Sequence, residues 1–263
     1  MTWATNVPLK GKHILLTGGT GGIGRLVCQE LINAGARLSL ITQRNRLPFS
    51  ANLIQANLAK REDLASACRT AADMKPDILV NLAGLQYFGK FEGETLEHLE
   101  NGFAVNLVAP VALSKAVVPA MRSRGSGQIV NVGSIMGSIG CAHFVTYSSA
   151  KAGLKGFSEA LRRELGGSGI AVTYIAPRAV GTGMLTEAVS RYARASGMAV
   201  DEPLAVARKI VSAITLRRKD VYFGLPERIY LTANALLPRL LDRAVAAGDR
   251  RGAAALLPPT PGI

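Results

Sequence analysis

The sequence predicts an α/β protein, a doubly wound parallel sheet in a single domain, on three observations. Short apolar, β-branched runs alternate with longer stretches of helical period from residue 12 onward. A glycine-rich turn, Thr17-Gly18-Gly19-Thr20-Gly21-Gly22-Ile23-Gly24, directly follows the first run and opens a helical pattern. The 263 residues are 48% hydrophobic, so the chain can bury one substantial core and is not a disordered polymer.

Each element follows from its own residues. Compact apolar runs at His13–Leu16, Leu38–Thr42, Ile78–Asn81, Gln128–Val132 and Ala171–Ile175 read as strands buried on both faces, as a parallel sheet between helices requires. Helical periods cover Ile23–Ala34, Glu62–Ala71, Leu96–Arg124 and Tyr147–Gly166, with Gly35 and Gly125 where helix ends favour glycine. From Arg191 the chain holds 12 Lys plus Arg against 6 Asp plus Glu. There Ile229, Ala233, Leu236, Leu237, Leu240 and Ala244 recur at helical spacing, with Arg228, Arg239 and Arg243 among the polar positions. Pro238 must kink that pattern or open a second helix, and the end from Leu256 reads as irregular. The alternating elements fill residues 1–190, and residues 191–263 hold a C-terminal basic amphipathic helical extension of the same domain.

Charge and cysteine use narrow the partners. Lys plus Arg number 31 against 18 Asp plus Glu, a net charge of +13. No nucleic-acid module or interleaving of aromatic and basic residues accompanies it, so nucleic acid is not an expected partner. Cys28, Cys68 and Cys141 are scattered without a paired motif, which predicts neither a disulfide framework nor a metal site and fits a reducing compartment. The chain does not begin with a basic segment followed by an apolar one, and no run of 18 apolar residues is present. The expected location is the cytoplasm, with a peripheral position on the inner membrane face left open.

Glycines between a strand and a helix let the backbone turn tightly and approach a pyrophosphate at the positive end of the helix, as in a Rossmann fold. Thr17, Gly18, Thr20, Gly22, Ile23 and Gly24 are thus candidate cofactor contacts. The spacing Thr-Gly-x-x-x-Gly-Ile-Gly resembles that of the short-chain dehydrogenase/reductase family. Asn81-Leu82-Ala83-Gly84 resembles the family's Asn-Asn-Ala-Gly segment with its second Asn replaced, Ser134 follows a strand, and Tyr147-Ser148-Ser149-Ala150-Lys151 fits Tyr-x-x-x-Lys. The matches occur in the family's order over about residues 10 to 190, and together they are highly specific. The resemblance adds Asn81, Ala83 and Gly84 to the cofactor contacts.

The choice of nicotinamide cofactor depends on the end of the second strand, where a carboxylate would hold the ribose hydroxyls of NAD. The chain reads Leu40-Ile41-Thr42-Gln43-Arg44-Asn45-Arg46, with no acid. Arg44 and Arg46 can pair with the 2′-phosphate of NADP, or be solvated loop arginines. NADPH/NADP+ is therefore expected over NADH/NAD+. Ala56-Asn57-Leu58 stands where relatives commonly have Asp and an apolar residue, so Asn57 and Leu58 are the adenine candidates, with a turn-forming role for Asn57 as the alternative.

Reduction of a carbonyl creates an alkoxide, which needs a proton donor and a group to hold the oxygen. Tyr147 is the candidate acid. Lys151, four residues on, shares its helix face, and its charge would draw the phenol's pKa down towards working pH. The resemblance implies that Ser134 hydrogen-bonds the substrate oxygen and that Asn106 positions the lysine and a water-linked proton path. It also implies that Ile23, Pro177, Val180 and Thr182 surround the nicotinamide. In Pro177-Arg178 the family's usual glycine is replaced, and Arg178 is read as facing solvent rather than a phosphate or an acidic substrate.

By the same resemblance, residues 1–190 are the dinucleotide-binding and catalytic core, the remainder of the substrate loop opens residues 191–263, and the stretch from Thr182 to about Pro203 forms the mobile region over the substrate. Met184 and Leu185 in it, with Ile135, His143 and Phe144, are the substrate candidates; the same apolar residues suit a helix packed on the core. The C-terminal basic stripe suits an anionic membrane surface, or equally a subunit interface or a lid. The resulting reading is NADPH-dependent reduction of a lipophilic ketone (3-oxoacyl, sphingoid or steroid-like) by Asn106, Ser134, Tyr147 and Lys151, in a homodimer or homotetramer. Alcohol oxidation with NAD(P)+ and a non-catalytic nucleotide-sensing protein are the alternatives.

Overall fold

The computed structural model describes residues 9–44 and 49–256; Arg46 and the irregular end from residue 257 lie outside the described residues. The first half runs β1 (His13–Thr17), α1 (Gly22–Asn33), β2 (Arg37–Thr42), β3 (Asn52–Gln55), α2 (Arg61–Met74) and β4 (Ile78–Asn81). Next come α3 (Leu96–Phe103), α4 (Ala109–Arg124), β5 (Gly127–Val132), α5 (Val145–Glu164) and β6 (Ile170–Ala176). The chain then forms β7 (Ala179–Val180), α6 (Glu187–Ser196), β8 (Val200–Asp201), α7 (Pro203–Thr215), β9 (Asp220–Tyr222), α8 (Leu225–Leu236) and α9 (Pro238–Ala254).

Seven strands form one parallel sheet in the order β3-β2-β1-β4-β5-β6-β9. Alternate residues of each strand enter opposite cores. Ile14, Leu16, Val80 and Val130 pack with Val27 and Leu31 of α1 and Ile210 and Ile214 of α7. Leu15, Leu79 and Ile129 pack with Ala67 and Ala71 of α2 and Leu113, Val117 and Met121 of α4. Both faces are dry, so the strands read as continuous apolar runs. Each buried Leu or Ile contributes on the order of 1.5–3 kcal/mol. The direction of winding reverses between β1 and β4, and the carboxyl ends of these two strands open the crevice where such sheets bind ligands.

The strands and helices expected from sequence are present close to their expected limits, and Gly35 and Gly125 take the left-handed conformation (φ +79° and +66°) that ends a helix. Two edge strands escaped the reading. Asn52–Gln55 is polar at both ends and Asp220–Tyr222 has three residues, so neither shows an apolar run. The long helix expected over Leu96–Arg124 is continuous but carries a π-helical stretch at Ala104–Val108. Pro110 has no N–H to give the carbonyl of Asn106 its α-helical bond, and the wider turn falls at this place. By length and composition this helix could cross a bilayer, yet α4 buries Leu113, Val117 and Met121 against the sheet. Pro238 takes the second option open to it and starts α9.

Candidate active site

The glycine turn after β1 owes its sequence to sterics. Gly18 has φ +75°, and a Cβ there would lie 2.6 Å from the backbone nitrogen of Ala83. Gly22, the first residue of α1, is equally constrained, since its Cβ would meet the Thr182 side chain at 2.6 Å. The result is a floor bare of side chains at a helix N-terminus, the cradle a pyrophosphate needs. Thr17 is buried and accepts hydrogen bonds from the N–H groups of Leu82 and Ala83 at 3.1 Å each, so it ties β1 to the loop after β4 rather than facing the cleft.

This crevice has a volume of about 780 Å³. Of the expected cofactor contacts, Gly18, Thr20, Gly22, Ile23, Gly24, Arg44, Asn57, Leu58, Ala83, Gly84, Pro177, Val180 and Thr182 line it. At the end of β2 stand Gln43 and the exposed Arg44, whose N–H donates to Thr42 Oγ1 at 3.1 Å; among the described residues no carboxylate lines the cleft. Asn57 makes the turn: its Oδ1 accepts the Ala59 N–H at 3.0 Å, and its own N–H donates to the Asp63 carboxylate at 2.8 Å. The turn still presents the residue to the crevice, so the two readings of Asn57 are compatible. Asn81 departs from expectation. It is 1% exposed, and its side-chain amide donates to Asn131 Oδ1 at 2.8 Å, while Asn131 donates to Ser158 Oγ at 2.9 Å. Facing the core, that side chain cross-links β4, β5 and α5 and does not line the cleft.

Ser134, Tyr147 and Lys151 converge on the crevice. Ser134 follows β5 and caps a short helical turn, its Oγ accepting the Met136 N–H at 3.1 Å, which leaves its proton free to donate. Lys151, one turn after Tyr147 on α5, is 3% exposed and donates from Nζ to the Val132 carbonyl at 3.0 Å. That Nζ lies 5.7 Å from the centroid of the Tyr147 ring. The electrostatics differ from the expectation. Burial pushes the Tyr147 phenol up to about 12, against the lowering effect of its hydrogen bond with Ser134, and burial brings Lys151 down to about 8. Desolvation outweighs the Ser134 hydrogen bond, so in this chain Tyr147 holds its proton at neutral pH and can give it away.

Asn106 stands behind this group and does not line the cleft. Its Nδ2 donates to the carbonyls of Leu85 (2.7 Å) and Gly102 (2.9 Å), and its Oδ1 accepts the Leu85 N–H at 3.2 Å. A Cβ on Gly84 would be 3.1 Å from Asn106 Oδ1 and 3.8 Å from Lys151 Nζ, which places both side chains beside that loop. Asn106 thereby positions the loop beside the lysine.

On the substrate side, Phe144, Met184 and Leu185 line the cleft, joined by Met136, Val189, Met198 and Gln86. Ile135 and His143 do not. His143 adopts φ +67° and packs its ring against Phe88 and Tyr192, at 5.8 and 5.5 Å between centroids, behind the cleft. Arg178 also corrects the reading: it lines the cleft and pairs with Asp201 through two hydrogen bonds, the one from Nε being 3.0 Å, so it is held in place rather than solvated. Gln86 reaches across the opening, its amide donating to the Met184 carbonyl at 3.4 Å. Nothing local in the sequence marks Gln86 or the Arg178–Asp201 pair, since each joins segments distant in the chain.

Comparison with known proteins agrees with this geometry. A family model described as short chain dehydrogenase matches residues 12–193. The chain is 30% identical over 227 residues to the ketoacyl reductase HetN of Nostoc sp., covering 81% of this chain and 78% of that protein. It is 32% identical over 240 residues to the 3-oxoacyl-[acyl-carrier-protein] reductase FabG of Salmonella typhimurium, covering 86% of this chain and 95% of that one. A chain from Beutenbergia cavernae, solved with bound NADP at low occupancy, superposes with a TM-score of 0.72 at 26% identity, over 82% of this chain and 96% of its own.

Proposed function

This chain belongs to the short-chain dehydrogenase/reductase family, and we propose that within it the protein is an NADPH-dependent reductase of a lipophilic ketone. The coarser activity, NAD(P)-dependent oxidoreduction between CH–OH and C=O groups of a small molecule, comes with the family. The observation that carries the finer reading is the convergence of Ser134, Tyr147 and Lys151 on a compartment walled by Met136, Phe144, Met184, Leu185, Val189 and Met198. An apolar wall beside a polar cluster favours a substrate that is greasy except at its carbonyl.

The glycine floor and the N-terminus of α1 fit a dinucleotide pyrophosphate, and when bound the nicotinamide supplies hydride to the carbonyl carbon. Ser134 donates its hydroxyl proton as a hydrogen bond to the carbonyl oxygen and holds it beside Tyr147. Tyr147 transfers its own proton to that oxygen as negative charge develops there. Lys151, cationic below about pH 8, offsets the charge left on the phenolate. Arg44, with no carboxylate near it in the cleft, favours a 2′-phosphate and hence NADPH over NADH. The HetN and FabG relatives are ketoacyl reductases by name, which supports a 3-oxoacyl substrate.

The test is NADPH oxidation against a chain-length series of ketones and 3-oxoacyl thioesters, with Tyr147→Phe alongside and NADPH and NADH titrated by fluorescence. Turnover should rise with chain length, fall by about 10²–10⁴-fold in the variant and leave NADPH binding in place. Comparable affinity for the two cofactors overturns the NADPH assignment; retained turnover in the variant overturns the acid.

Exposed Leu96, Val108 and Val145 lie along the surfaces of the long helix and α5, which supports self-association through that helix pair. Exposed Tyr230, Leu236 and Leu237 near the exposed Arg239, at the bend between α8 and α9, support contact with anionic lipid. Sedimentation alone and with acidic liposomes at low salt checks both: a dimer or tetramer that cosediments is expected. A monomer rejects the first assignment, and protein left in solution rejects the second.

A further inference from the structure

After β9 the sheet is complete, yet the chain continues through α8 and α9, and α9 packs against α6. Three features make that contact specific. The Tyr192 side chain of α6 is fully buried, and its hydroxyl donates to the Asp249 carboxylate of α9 at 2.5 Å. A Cβ on Gly252 would lie 2.5 Å from the Tyr192 ring, so α9 reaches that ring at a position bare of side chain. Leu256, just past α9, packs on the cluster of Met136, Phe144, Val189 and Tyr192.

The same cluster is the back of the substrate compartment. Met136, Phe144 and Val189 show one side to the cleft. Behind them Tyr192 stands in aromatic contact with Phe88 and Phe144, at 5.3 and 6.0 Å between ring centroids. Shifting Tyr192 therefore shifts the far wall of the pocket. No residue of the glycine turn belongs to this cluster.

We propose that Asp249 and Gly252 of the C-terminal helix are positioning residues that fix Tyr192, and through it α6, and so set the depth of the substrate compartment and the size of substrate accepted. The assignment rests on the reading of that compartment as a ketone site. It gives the extension beyond β9 a function at the active site that does not depend on membrane or subunit contact. Tyr192 must donate and the carboxylate accept, because burial and the adjacent Asp249 both raise the phenol's pKa. In a dry cluster, removal of either partner leaves the other unsatisfied.

The experiment compares wild type, Gly252→Ala, Asp249→Ala, Asp249→Asn and Tyr192→Phe as cofactor-loaded full-length chains. It reads kcat and KM over the chain-length series, the Kd for NADPH, and hydrogen exchange of residues 187–196. Gly252→Ala and Asp249→Ala should raise KM for the preferred length by about tenfold and move the length optimum, with kcat and NADPH Kd within about twofold and exchange in α6 faster. Asp249→Asn keeps an acceptor and should restore most of the KM. Tyr192→Phe combined with Asp249→Ala should be no worse than either alone if the pair acts as a unit. Unchanged length preference together with unchanged α6 exchange overturns the proposal, as does a parallel loss of NADPH binding. If Gly252→Ala does not fold, Asp249→Ala and Tyr192→Phe carry the same comparison. Should wild type reduce none of the ketones, the functional reading fails by itself, and α6 exchange in Asp249→Ala, faster or unchanged, still decides whether Asp249 fixes Tyr192 and α6.

Discussion

The half of the cleft that receives the cofactor and the half that receives the substrate are built by different means. The pyrophosphate floor of the first is made by neighbours in sequence: β1, the glycine turn and α1 span residues 13–33 without interruption. The second is stitched from remote segments. Gln86 meets Met184, Arg178 meets Asp201, and Tyr192 meets Asp249. A short stretch dictated by steric necessity tolerates few changes and binds one chemistry. An assembly of long-range contacts can be re-cut to fit another substrate while the first is left alone.

The sharpest way to break that contrast is Gly18→Ala. The new Cβ would sit 2.6 Å from the Ala83 nitrogen in a left-handed backbone, so either the turn or the loop after β4 must move. NADPH affinity should fall by about a hundredfold, equivalent to ~2.7 kcal/mol, while α6 exchange stays at the wild-type rate. Isothermal titration and hydrogen exchange on the same sample check it. Equal disturbance of α6 would mean that the two halves are one cooperative unit.

Lys151 sits where the halves meet, and its environment sharpens the comparison. Burial lowers its pKa from 10.5 to about 8, so the folded chain binds that proton less tightly than the unfolded chain. Between about pH 8 and 10.5 the unfolded state therefore holds more protons, and stability conferred by this site increases as pH rises through that window. At pH 7 the buried charge is a cost. Lys151→Met should abolish turnover but stabilise the cofactor-free protein by about 1–3 kcal/mol at pH 7. The gain should shrink towards zero near pH 10.5. Urea midpoints at the two pH values measure this, and a variant that is destabilised at pH 7 would show that the bond to Val132 outweighs desolvation.

What could be read from the sequence follows the same division. The glycine turn and the four-residue spacing of Tyr147 and Lys151 were legible from local geometry, Ser134 only through the family resemblance, and the alternating apolar runs predicted the sheet. His143 was misplaced because a non-glycine residue with φ +67° turns its ring away from the cleft, which no periodicity announces. Asn81 carries a familiar spacing but faces the core, where its side-chain amide donates to Asn131. The π turn at Asn106 had a visible signal in Pro110, four residues later. Asp249 had none, since its partner lies 57 residues away on another helix.

Arg178 offers the smallest effect and the cleanest separation of the halves. It follows Pro177 at the end of β6, and Asp201 closes β8, so their pairing fastens the β7–β8 ribbon on the two sides of α6. Their side chains are 21% and 16% exposed, which leaves the pair partly screened. Arg178→Ala strands the Asp201 carboxylate in a site that still excludes most water, a cost of about 1–2 kcal/mol. Because the ribbon frames the substrate loop, KM for the ketone should rise by about fivefold to tenfold, with kcat less affected. NADPH affinity should stay close to wild type, since no phosphate is needed to hold this arginine where it stands. Asp201→Asn should do the same to a lesser degree, because its amide still offers one acceptor oxygen. A parallel fall in NADPH affinity for both variants would place Arg178 at a cofactor phosphate instead, and would move this residue from the substrate half to the cofactor half.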